Sequence, residues 1–136
     1  MSFYVLDASV WVARLVPQDA FHQTIKNWMA GERTVGSQFI SPSLLLAEVA
    51  GAISRRTTAA LGRKALKSLE AMPGLRIIAM QDVLLHEAAA LAADLGLSGA
   101  DSVYVAVARH LDVPLLTFDA EQRERGKKAV TIHEID

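Results

Sequence analysis

Cysteine is absent from the 136 residues, which removes disulfide frameworks, Cys-based zinc sites and thiol nucleophiles together and fits a reducing compartment. Proline and glycine are sparse, at 4 and 8, and 51% of residues are apolar; the chain is neither fibrous nor disordered by composition. No apolar run is long enough to span a bilayer. The opening residues, Met1 to Asp7, lack the basic start and sustained apolar stretch of a signal peptide, so the expectation is a cytoplasmic protein with no membrane association. An excess of either charge is missing too: 14 basic against 15 acidic residues leave a net charge of -1, so any nucleic-acid contact has to use a local basic patch. His22, His86, His110 and His133 are scattered without metal-ligand spacing, which leaves histidine-based acid–base chemistry without support.

What is present is a chain of ordinary domain length, expected to fold as one domain over residues 1–136. Short β-rich apolar runs at 3–6, 38–41, 75–80, 113–118 and 129–132 read as strands. Helical patterns fill the gaps: 8–16, closed by Pro17; 20–30, with Asp19 as cap and Gly31 as stop; 42–56, with Pro42 in its first turn and Leu46, Val49 and Ile53 as its stripe; and 58–72, ended by Pro73 and Gly74. Three more follow at 83–95, 100–111 and 120–126, the second apolar on nearly every face and therefore expected to be buried. Trp11, Trp28, Phe21 and Phe39 are expected in the core. Strands alternating with helices imply an α/β fold with a central parallel sheet flanked by helices on both faces.

In such a sheet, ligands sit in the crevice at the carboxyl ends of the strands. Asp7 follows the first strand and Asp119 the strand at 113–118; Asp101 opens the buried helix between them and Glu48 lies inside the helix after strand two. Each aspartate also fits a helix-capping role: Asp7 as an N-cap, and Ser98 with Asp101 and Asp119 with Gln122 as capping boxes. Glu48 sits mid-helix beside the apolar stripe, where no capping role exists and the alternative is a surface glutamate. Gly51 and Ala52 after Glu48, and Gly99 and Ala100 before Asp101, leave room for close approach. Were the four carboxylates to converge, each close pair would repel by about 4 kcal/mol at an effective dielectric near 20. A hard divalent cation, Mg²⁺ or Mn²⁺, answers that need and is the ordinary partner of phosphate chemistry. Arg55, seven residues after Glu48 on the same helix face, reads either as a solvated arginine at a helix end or as a phosphate contact.

Four segments, taken in order, resemble one family. They are Val5-Leu6-Asp7-Ala8-Ser9-Val10-Trp11, Ser41-Pro42 through Ala47-Glu48-Val49, the stretch from Leu97 to Ala108 around Asp101, and Leu115-Leu116-Thr117-Phe118-Asp119. Their order and spacing are similar to those of the PIN-domain nucleases, and of these most closely the VapC-type toxins of bacterial toxin–antitoxin pairs. The resemblance implies a metal-dependent endoribonuclease in which Asp7, Glu48, Asp101 and Asp119 hold one or two Mg²⁺ or Mn²⁺ ions and RNA is cut by activated water. It implies a cognate antitoxin and a homodimer as partners. Ser9 and Thr117 match the family's hydroxyl positions beside the site; turn capping is the other reading of both.

Rival classes fit less well. A haloacid-dehalogenase-like phosphatase wants a second aspartate two residues after the first, where this chain has Ser9, and a receiver-like domain wants paired acids after strand one and a late lysine. A non-catalytic partner-binding domain, whose carboxylates merely cap helices, is the remaining alternative.

Overall fold

The computed structural model describes residues 2–135. β1 (Phe3–Leu6) places Tyr4, Val5 and Leu6 successively in the core. Because successive strand residues point to opposite faces, this run requires both faces of the sheet to be covered. Two helices, α1 (Ala8–Leu15) and α2 (His22–Thr34), lead to β2 (Gln38–Pro42); α3 (Leu44–Arg56) and α4 (Ala59–Glu70) lead to β3 (Leu75–Ile78); α5 (Asp82–Leu95) and α6 (Gly99–Leu111) lead to β4 (Leu115–Leu116), and α7 (Ala120–Gly126) follows. All neighbouring strands are parallel, in the order β3-β2-β1-β4.

That order has one functional consequence. The chain lays β2 and β3 to one side of β1 and then returns to place β4 on the other, so the direction of winding reverses between β1 and β4. The carboxyl ends of those two strands flank the crevice that parallel sheets open at such a reversal.

α6 bears out the expectation of a buried helix: residues 102–108 are all buried, and it packs on β1, β2 and β4. α3 buries Leu45, Val49 and Ile53, leaving Leu46 half-buried. No single helix among the described residues is long and apolar enough to cross a membrane.

Several local expectations shift. α2 continues through Gly31 to Thr34 and ends before Gly36, whose φ of 79° supplies the left-handed geometry of a helix stop. Gly31 has helical neighbours and no such role. Phe21 lies outside the core at 46% exposure, because Asp19 does not cap α2 directly; its Oδ1 takes the Phe21 N–H at 2.9 Å and holds Phe21 in the preceding turn. Pro42 ends β2 instead of opening α3, with Ser43 between them. The last expected strand, 129–132, is reduced to one parallel bridge between Leu115 and Ile132, since β4 offers only two residues to pair with.

Candidate functional site

Asp7 leaves β1 and caps α1, its Oδ1 accepting the Val10 N–H at 3.2 Å. The capping reading is therefore right, and it uses only part of the carboxylate. Ser9 Oγ donates to the same oxygen at 2.6 Å, and Thr117 Oγ1, at the end of β4, donates to Oδ2 at 2.5 Å. Asp7 is 4% exposed. Burial is the largest influence on its carboxyl and pushes its pKa up to about 6, against the three hydrogen bonds that lower it; the charge of Asp101 raises it further.

Thr117 is the hub. Its hydroxyl accepts the Asp119 N–H at 3.0 Å and has, for its single proton, Gln122 Oε1 at 3.0 Å as an alternative acceptor to Asp7, while Gln122 Nε2 donates to the Asp101 carbonyl at 3.2 Å. Gln122 is completely buried. One hydroxyl and one amide thus join the end of β1, the end of β4, the start of α7 and the start of α6.

The remaining carboxylates approach from different elements. Asp119 caps α7 through Gln122 N at 2.9 Å, but Gln122 turns its side chain inward instead of completing a capping box. Ser98 caps α6 by taking the Asp101 N–H at 3.1 Å. Glu48, half-buried on α3, receives a hydrogen bond from the buried Tyr104 hydroxyl at 2.6 Å. Burial, then that bond, then the charges of Asp7 and Asp101 hold the Tyr104 phenol well above its usual range, so it remains a donor.

These groups feel one another. Burial raises the Asp101 carboxyl most; Asp119 raises it next, Ser98 opposes through a hydrogen bond, and Glu48 and Glu121 add smaller upward pushes. None of the ion pairs among the described residues engages Asp7, Glu48, Asp101 or Asp119. Asp101 is thus within electrostatic reach of Asp7, Asp119 and Glu48, and none of the four is ion-paired among the described residues. Among the described residues no three His, Asp or Glu groups are drawn tightly enough to form a ready ligand cluster. All-oxygen, uncompensated donors nonetheless fit a hard cation such as Mg²⁺, which binds through one or two carboxylates and keeps much of its water.

Residues 4–128 match the PIN domain family. The chain belongs to that family. Solved structures share its PIN fold over nearly the whole length: the VapC20 toxin of Mycobacterium tuberculosis, described as cleaving the sarcin–ricin loop, at TM-score 0.81 and 18% identity, covering 98% of this chain and 99% of that one; VapBC2 of Rickettsia felis bound to a promoter DNA fragment, at 0.75 and 14%, covering 98% and 99%; and FitAcB of Neisseria gonorrhoeae, at 0.68 and 16%, covering 96% of each. At these identities the likeness is one of fold. A search of curated proteins finds no match.

Two residues of this PIN-domain site carried no decisive sequence signal. Tyr104 sits in a helix apolar almost all round and reads as core; Gln122 reads as half of a capping box. Their roles depend on contacts made 56 residues away for Tyr104 and on a five-residue loop-to-helix return for Gln122. Arg55 is exposed and folds its guanidinium toward Gly51, where an added Cβ would sit 3.1 Å from it.

Proposed function

We propose that this PIN domain is a Mg²⁺- or Mn²⁺-dependent endoribonuclease, the toxin of a VapBC-type toxin–antitoxin pair acting in the cytoplasm. What supports the reading is that Asp7 and Asp119 follow the two strands at the winding reversal, while Asp101 feels the charges of Asp119 and Glu48 and acts on Asp7, with none of the four ion-paired among the described residues. Asp7, Glu48, Asp101 and Asp119 are the residues that would hold the ion. Bound there, a divalent cation supplies charge neutralisation at the attacked phosphate and lowers the pKa of the attacking water.

The chain's own residues prepare that site. Ser9 and Thr117 fix both oxygens of Asp7, Tyr104 fixes Glu48, and Gln122 ties the backbone of Asp101 to the start of α7. Such locking preserves carboxylate directions before the substrate arrives. A cognate antitoxin and a second copy of the chain are the partners this reading carries; the exposed Val83, Leu85 and Leu111 provide apolar surface for association.

Purified protein is expected to cleave single-stranded RNA with Mg²⁺ or Mn²⁺, to stop when EDTA is added, and to lose cleavage by roughly a hundredfold as Asp7→Asn, the upper end of what disturbing even the partners of a metal ligand costs. Undiminished cleavage by Asp7→Asn would overturn the assignment.

A further inference from the structure

Phe21 and Phe118 stack with ring centroids 4.4 Å apart and planes 9° from parallel. The other aromatic pairs of the molecule meet tilted or edge-on, at 38° to 78°, as core rings usually do. Phe118 is half-buried, while Phe21 keeps 46% of its surface in solvent. Phe118 covers one face of the Phe21 ring, and the residue as a whole remains among the most exposed large apolar ones.

The position of this pair ties it to the carboxylate crevice. Phe118 stands between Thr117 and Asp119, and its N–H donates to Ser9 Oγ at 3.0 Å, the same hydroxyl that holds Asp7. The turn that presents Phe21 is built, not loose. Asp19 N donates to the Val16 carbonyl at 3.0 Å, Asp19 Oδ1 holds the Phe21 N–H, and Asp19 Oδ2 pairs with Arg56 at 3.1 Å. His22 Nδ1 lies 2.8 Å from the Ala13 carbonyl and pins the start of α2. Arg123 adds a cation on the Phe118 side, reaching the Thr117 carbonyl at 3.5 Å.

We propose that the Phe21–Phe118 pair is a base-stacking shelf, on which Phe21 takes an unpaired nucleobase of single-stranded RNA and so presents an adjoining phosphate to the carboxylates. Every base has a π-face, so such a shelf tolerates sequence; it demands an unstacked base, which duplex RNA does not offer. The inference rests on the ribonuclease reading and adds to it a base-contact site.

The test measures binding, so that it is separate from cleavage. In an Asp7→Asn background with Mg²⁺, a short mixed-sequence single-stranded RNA containing 2-aminopurine is titrated with protein carrying Phe21, Phe21→Leu or Phe21→Trp, with the annealed duplex as a second probe. Phe21→Leu is expected to weaken single-strand binding about tenfold and to abolish the 2-aminopurine quenching, Phe21→Trp to restore both, and the duplex to bind weakly and independently of residue 21. Unchanged affinity in Phe21→Leu, loss without rescue by tryptophan, equal dependence for the duplex, or no RNA binding by the parent would each overturn the shelf. Failure of the wild-type protein to cleave any RNA would instead strike the ribonuclease reading.

Discussion

Asp7 answers two demands that pull against each other. Its folded pKa of about 6 lies above the ordinary 3.8, so the folded chain holds that proton more tightly than the unfolded one. Stability is therefore greatest at low pH on this account and declines as pH rises between about 4 and 6, with the full penalty above that window. A shift of this size corresponds to about 3 kcal/mol. Asn fits the same place: it keeps the N-cap acceptor, and its amide can donate to Thr117 Oγ1, which redirects its own proton to Gln122 Oε1, 3.0 Å away. Metal-free Asp7→Asn is thus expected to be more stable than the parent by about 2–3 kcal/mol at pH 7.5, with the gain vanishing near pH 4, as read by urea unfolding. A less stable variant at pH 7.5 would show that the buried charge is not the dominant strain. The aspartates were legible in the sequence because they follow strands and open helices. Thr117 as a hub was not, because its partner Asp7 is 110 residues distant and only the sheet order makes them neighbours.

Helix α3 carries Glu48, and its seat is set by α4. A Cβ on Gly62 would lie 2.7 Å from the Ala50 carbonyl oxygen and 3.1 Å from Ser54 Cβ, so the two helices touch backbone to backbone at that glycine. Gly62→Ala is expected to cost about 1–3 kcal/mol through overpacking, despite alanine's better helix propensity, and to lower RNA cleavage by displacing Glu48. Gly31→Ala, in the exposed middle of α2 with nothing within 4 Å of the added carbon, is expected to gain about 0.5–1 kcal/mol. Urea midpoints moving in opposite directions check both. The sequence drew attention to Gly51 and Ala52 as places of close approach, whereas the tight contact is at Gly62, since periodicity identifies a helix face but not the helix that will lie on it. For the same reason α6 was readable as buried, its pattern being apolar all round, and the stop of α2 was misplaced at the first glycine met.

At the scale of the molecule, the alternation of strands and helices was sufficient for a parallel α/β sheet, and the order β3-β2-β1-β4 explains why Asp7 and Asp119, 112 residues apart in sequence, follow neighbouring strands. The reversal of winding itself leaves no mark on the sequence. Nor does the overall charge of -1 decide for or against nucleic-acid binding, because attraction of phosphate depends on where cations lie and not on their sum.

The family match ends at residue 128, but the sheet does not. Leu115 gives its N–H to the Thr131 carbonyl and takes the His133 N–H on its own carbonyl, both at 2.9 Å. The His133 ring rests 4.8 Å from Tyr4 and 5.5 Å from Trp28. Those last turns of chain are a hem: they close the raw edge of a strand only two residues long. A chain stopped after Lys128 is expected to keep its carboxylates and lose its solubility, pairing through the opened Leu115 edge with its own copies; light scattering that rises with concentration beyond that of the full chain checks this, and a monodisperse truncated protein would refute it. The stretch that carries the carboxylates and the stretch that closes the sheet edge are, on this view, not the same length.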